Sequence, residues 1–306
     1  MNLNPQNQVN LYGFNKEFLE FTNLYKYNKL PNKILLSGQK GIGKCTLAHH
    51  LVNFVLSSDE EFSYDINDFI INKENKSFKL VQNKTNPNFT LIDIIDEKKV
   101  IDISQIRNLI ININKTSFNP KPRFVLFDNI EYLNTNSVNA LLKIIEEPTT
   151  NCYFILIHNN QKILETLKSR CINFKISLSN KESISISNKL IDDNIDDLIS
   201  DEILNYYISP GKIYNLIKFS KVNKINLKEL ILKDFLNLII NESYYKKESS
   251  IKNMIYDFIE LFLLKKVSLK NSNFINYFLK KIDNKKKYNL DEKSLFFEFK
   301  KEILDG

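Results

Sequence analysis

Cysteine, arginine and glycine are all scarce in this chain of 306 residues, and each scarcity excludes something. The three cysteines, Cys45, Cys152 and Cys171, are odd in number and far apart. They fit a reducing, cytoplasmic setting better than a disulfide framework. No CxxC pair and no cluster of His with Cys occurs, so no metal is expected and zinc in particular is not. No apolar run reaches the ~18 residues of a membrane-spanning helix, and no membrane partner is expected. The start, Met1 to Asn10, is polar and lacks the charged head and apolar middle of a signal peptide.

Only Arg107, Arg123 and Arg170 stand among 43 lysines and arginines. Abundant Asn, Ile and Lys point to a coding bias that puts lysine wherever lysine serves. Each surviving arginine therefore invites a reason that a planar guanidinium meets and an ammonium does not. The net charge of +7 permits an anionic partner such as nucleic acid but does not require one. Of six glycines, Gly38, Gly41 and Gly43 sit together.

The first half alternates short apolar runs with helical patterns, the signature of a layered α/β domain with a parallel sheet. Lys33 to Ser37, Phe89 to Asp93, Phe124 to Asp128 and Cys152 to Ile157 read as strands, and Phe174 to Leu178 as a fifth. Ile103 to Ile113 and Ser137 to Glu147 read as helices, the second stopped by Pro148. After residue 178 the strands cease and helical stripes follow. One runs through Leu227, Leu230, Ile231, Phe235, Leu238 and Ile239, another through Ile251, Met254, Ile255, Phe258 and Phe262. A third has Phe274, Ile275, Phe278, Leu279 and Ile282; all three are read as core.

Gly38-Gln39-Lys40-Gly41-Ile42-Gly43-Lys44 fits G-x-x-x-x-G-K between a strand and a helix. Glycines there turn backbone amides onto phosphate oxygens, the helix N-terminus adds its dipole, and Lys44 supplies a point charge. The next residue normally carries a hydroxyl for Mg²⁺. Here it is Cys45, a soft ligand ill suited to that hard ion, and Thr46 lies one place too far round the helix. Asp128, ending its strand, would stand beside the loop at the carboxyl edge of the sheet. It is followed by Asn129, which accepts no proton, and alternation along the strand would not put Glu131 in its place. ATP or ADP binding without well-placed magnesium is the expectation.

Two further stretches carry a family resemblance: Asn139-Ala140-Leu141-Leu142-Lys143-Ile144-Ile145-Glu146-Glu147-Pro148, then Ser169-Arg170-Cys171 after another strand. Together with the loop they strongly resemble the bacterial DNA polymerase III clamp loader, the AAA+ proteins that open and load the sliding clamp. The resemblance covers roughly residues 10 to 178, and Ser209-Pro210-Gly211-Lys212 is similar to the family's lid. It implies a P-loop AAA+ domain at 1–178, a helical lid at 179–220 and an all-α collar at 221–306. It also implies that Arg170 is an arginine finger reaching a neighbouring subunit's ATP, with Asn159 and Lys212 near the family's two sensor positions. Expected partners are the gamma/tau and delta subunits, the sliding clamp and primer–template DNA. The motor subunits keep GKT or GKS and a D-E pair. GKC and D-N are more similar to the delta-prime type, a stator with a degenerate site. A gamma/tau-type motor, or a clamp-loader relative serving DNA repair, remain the alternatives.

Overall fold

The computed structural model of the protein describes residues 3–95, 100–115, 119–146, 151–161, 163–204, 208–265, 276–282, 284 and 291–305. Two compact units divide it, Met1–Ser179 and Asn180–Gly306. The first holds strands β1 (Lys33–Ser37), β2 (Phe89–Ile92), β3 (Arg123–Phe127), β4 (Cys152–His158) and β5 (Ile172–Lys175). Its helices are α1 (Asn15–Lys26), α2 (Lys44–Leu56), α3 (Lys76–Gln82), α4 (Ile103–Ile113), α5 (Thr135–Glu146) and the single turn α6 (Glu165–Lys168).

The strands form one parallel sheet in the order β2-β3-β4-β1-β5. Unbroken apolar runs are what a parallel sheet covered on both faces requires. In β3 and β4, Val125, Leu126, Phe127, Phe154, Ile155 and Leu156 are all buried. Val125 stands opposite Phe154 and Leu126 opposite Ile155. Each such side chain contributes roughly 1.5–3 kcal/mol on burial. Parallel strands also bring all their carboxyl ends to one edge. Gly38, Asp93, Asp128 and Asn159 each follow a strand there.

Four strands shift from the sequence reading, β2 and β4 by one residue at their ends, to Ile92 and His158. The fifth strand begins at Ile172 and ends at Lys175, earlier than Phe174 to Leu178. It can pair only as far as β1 runs, and β1 turns into the glycine loop after Ser37, opposite Lys175. The residue β5 leads into, Ile176, still donates its N–H to Ser37 O at 2.8 Å. The third strand includes Arg123, whose N–H is fixed by Asn151 O at 2.9 Å. Helix α4 starts where expected, under a capping box between Asp102 and Gln105.

The second unit is helical among the described residues, with its longer helices at Asn180–Ile191, Pro210–Asn223, Leu232–Asn241, Ser249–Lys265 and Glu292–Phe299. One apolar cluster joins them, including Ile213, Leu216, Phe235, Ile239, Ile255, Phe258, Phe278 and Phe296. The stripe expected from Leu227 becomes helical only at Leu232, where Glu202 Oε2 accepts from Leu232 N at 2.9 Å. Leu227 is buried from a turn, and Ile231, read as core, is exposed. Residue 220, where the sequence reading parts lid from collar, falls inside Pro210–Asn223. Glu147, Pro148, Phe274 and Ile275 lie outside the described residues.

Candidate functional site

The glycine loop joins β1 to α2, and two of its glycines are required by geometry. A Cβ on Gly38 would stand 2.1 Å from Ile176 O, so the backbone approach there admits no side chain. Gly43 has φ of 104°, in the left-handed region, and opens α2. Gly41 is likewise left-handed. This is the strand, tight turn and helix N-terminus that a phosphate cradle needs.

Lys44 at the start of α2 is buried, at 3% exposure. Its Nζ donates to Gly38 O at 2.9 Å, to Gln39 O at 2.7 Å and to Asn159 Oδ1 at 3.0 Å. An ammonium has three N–H bonds, so two are spent on carbonyls of the loop and the third on Asn159. Burial pulls its pKa down to about 8, against the opposing fields of Asp128 and Glu131. A phosphate would have to displace at least one of these contacts before Lys44 could meet it.

Asn159, just past β4, is the hub of the arrangement. Its Nδ2 donates to Asn129 Oδ1 at 2.9 Å and to Glu131 Oε1 at 2.8 Å. Asn129 Nδ2 in turn donates to Asp93 Oδ1 at 2.8 Å. A chain of side chains therefore runs from the end of β2 through β3 and β4 to the lysine of the loop. Glu131 belongs to it despite the expectation from strand alternation. The strand stops at Phe127, Asn129 takes a left-handed conformation (φ 58°), and a 3₁₀ turn over Ile130–Tyr132 brings the carboxylate round. The period of two ends where the strand ends, and that local turn was the signal missed.

Asp128 is held differently. Its Oδ1 accepts from Asn129 N at 2.9 Å, and it shares a hydrogen bond with the Cys45 thiol. Burial and then the neighbouring Asp93 push its pKa up to about 6. Burial, the Asp128 charge and that same hydrogen bond push the Cys45 thiol well above its ordinary range, so it stays protonated. A protonated thiol donating to Asp128 offers nothing to a hard cation. Thr46 sits one residue, about 100°, further round α2. The residues present thus fit a phosphate cradle and do not fit a magnesium site. Among the described residues, no group of three or more His, Cys, Asp or Glu is placed to hold a metal.

Arg170 lies just beyond α6, half-exposed at 37% of its side chain. Its Nε donates to Glu146 Oε1 at 2.6 Å and its Nη1 to Thr166 O at 2.8 Å. Lys212 belongs to the second unit, where its ammonium pairs with Asp257. Arg123, one of the three arginines, is engaged within the fold: it donates to Asn112 O, Ile113 O and Lys115 O at 3.3, 2.5 and 2.6 Å. It caps the C-terminal carbonyls of α4, a fork's task that one ammonium does not match. His49 and His50 are packing groups on α2, His49 against the ring of Phe89 and His50 with Nδ1 2.9 Å from the Tyr64 hydroxyl. Cys152 is buried and Cys171 partly so, its thiol pushed up to about 11 by burial.

The profile of the family described as "DNA polymerase III, delta subunit" matches residues 15–180. The chain is 27% identical over 284 residues to the DNA polymerase III delta' subunit of Buchnera aphidicola subsp. Schizaphis graminum, covering 88% of this chain and 84% of that one. It is 32% identical over 139 residues to the delta' subunit of Pseudomonas aeruginosa, 45% of this chain and 40% of that protein. A gamma subunit of DNA polymerase III from the same Buchnera is 29% identical over 181 residues, 59% of this chain and 47% of its own. The chain thus spans about half the length, or less, of these last two relatives. A solved structure of a gamma-subunit-related protein from Thermotoga maritima overlays with a TM-score of 0.47 at 17% identity, covering 90% of this chain and 96% of that one.

Proposed function

The chain belongs to the DNA polymerase III delta-subunit family, and from that premise we propose that it is a clamp-loader subunit of the delta-prime type. In this reading it is a stator. It stands between a gamma/tau motor subunit and the delta subunit in an assembly that opens the sliding clamp and places it on primer–template DNA in the cytoplasm. Residues 1–178 are the AAA+ domain, 179–220 a lid and 221–306 a collar that holds the assembly together.

One observation carries the choice of stator over motor: Lys44 has committed its three N–H bonds to Gly38 O, Gln39 O and Asn159 Oδ1 while Cys45 donates to Asp128. Any ATP or ADP held over Gly38, Gly41, Gly43 and Lys44 is then a passive ligand, contacted by Asn159. Asn129 stands where the family's motors keep a water-orienting glutamate, and its amide neither accepts a proton nor carries charge. Arg170 works elsewhere, on the phosphate of a nucleotide bound by the adjacent motor. Such fingers are worth ~10³ to 10⁵ in rate where they act.

The test is a complex reconstituted with gamma/tau and delta, assayed for clamp- and DNA-stimulated ATPase. Lys44→Ala is expected to leave turnover unchanged, and Arg170→Ala to lower it at least ~100-fold with assembly intact. ATPase by the chain alone that Lys44→Ala abolishes would instead establish a gamma-type motor. Failure to co-purify with delta and the clamp would point to a relative working in repair.

A further inference from the structure

Glu146 and Arg170 are the only residues that join the two sequence stretches through a charged contact among the described residues, and the form of that contact is informative. Glu146 is the last described residue of α5 and Arg170 follows α6. A single carboxylate oxygen, Glu146 Oε1, lies 2.6 Å from Nε and 2.5 Å from Nη2 of the guanidinium. Thr166 O takes a hydrogen of Nη1 at 2.8 Å. A guanidinium carries five N–H bonds in a rigid plane. Glu146 occupies the side edge formed by Nε and Nη2, and Thr166 takes one hydrogen of Nη1. One N–H on Nη1 and one on Nη2 keep no other partner among the described residues. Donors on both terminal nitrogens suit the oxygens of a phosphate.

We propose that Glu146 is the positioning residue for Arg170, gripping the side edge of the guanidinium so that its remaining N–H groups are presented to the phosphate of a nucleotide on a neighbouring subunit. The inference rests on the reading of Arg170 as a group acting in trans. A loose arginine spreads over many rotamers, and docking would have to freeze them. Anchored to the end of α5 and the backbone of α6, it has less freedom left to lose. Helix energetics favour the same role. A carboxylate two residues before the helix-stopping Pro148 lies toward the negative end of the α5 dipole, a placement that local stability disfavours. Removing it does not weaken α5, so the consequence falls on Arg170. One oxygen accepts both hydrogen bonds, so charge is not essential to the grip, and glutamine supplies an equivalent oxygen.

The experiment uses the full complex and measures kcat and KM for its stimulated ATPase with Arg170→Ala, Glu146→Ala, Glu146→Gln and the double variant Glu146→Ala/Arg170→Ala. Glu146→Ala is expected to lower kcat roughly tenfold, the scale of a misplaced catalytic contact, with KM for ATP little changed. Glu146→Gln recovers most of the rate, and the double variant is no slower than Arg170→Ala. A slow Arg170→Ala beside a normal or faster Glu146→Ala overturns the positioning role and leaves the finger standing. A normal Arg170→Ala overturns both.

Discussion

Lys44, on the first turn after the glycine loop, donates to Asn159 at the far end of β4 across 3.0 Å. That bond closes the loop upon itself, because Asn159 is held in turn by Asn129 and Glu131 and Asn129 by Asp93. A phosphate approaching the loop meets a lysine already saturated, two carboxylates, Asp93 and Asp128, and at Cys45 a thiol in place of a hydroxyl. This leads to tests of the site that do not depend on the assembled complex.

Nucleotide affinity should be insensitive to magnesium, because Cys45 gives that ion no ligand. Titration with a fluorescent ATP analogue is expected to show less than about a twofold difference between excess Mg²⁺ and chelator. Cys45→Thr should restore a dependence of roughly tenfold. A strong magnesium effect in the unaltered chain would contradict the site described above.

Asp128 should destabilise the chain at neutral pH. Its carboxyl is raised by burial and then by Asp93 to about 6, whereas in the unfolded chain it titrates near its ordinary value of 3.8. Between those values the folded state binds the extra proton, so stability is highest at the acid end and falls as pH rises through about 6. Asp128→Asn is therefore expected to stabilise by roughly 1–3 kcal/mol at pH 8 and by close to nothing at pH 4. Urea unfolding at the two values checks this, and equal gains at both would refute it.

His49 has the opposite slope. Burial lowers its pKa to about 4, so it stays neutral in the fold while the unfolded chain takes up the proton near 6.5. Its contribution to stability is whole above 6.5 and is lost as pH falls through about 4. His49→Leu should flatten the loss of stability over that window by roughly 2–3 kcal/mol, leaving the share due to His50. An unchanged slope in urea melts would show that His49 does not titrate on unfolding.

Arg123 should resist replacement by lysine. Its fork reaches three carbonyl oxygens at the end of α4, two of them at 2.5 and 2.6 Å. Arg123→Lys is expected to cost about 1–2 kcal/mol in denaturant unfolding, and Arg123→Ala no less. Full stability with lysine would mean that the coding bias had merely overlooked this position.

Much of the first unit was legible because its rules are local. Apolar runs such as Phe124 to Phe127 have one stable home, a sheet covered on both faces, and Asp102 with Gln105 announces the start of α4. The limits of β5 were not local. They depend on how far β1 runs before Gly38, and nothing in the sequence of β5 itself records that. The start of the helix at Leu232 likewise depends on a cap contributed by Glu202, thirty residues upstream.

For the site, the sequence by itself determined the cradle and its defects. The spacing of Gly38, Gly41 and Gly43, the thiol at Cys45 and the amide at Asn129 are properties of residue type and order, and backbone chemistry translates them directly. What only the tertiary structure decided is how those parts are used. Parallel strands deliver Asp93, Asn129 and Asn159 to one edge from separate stretches of chain, and there they bind each other and Lys44. Glu131 enters because the backbone reverses at Asn129, and Arg170 acquires its orientation from Glu146, twenty-four positions away. Partners that meet only when the sheet is assembled leave no period or spacing in the sequence, because their distance is set by strand order and not by chain length.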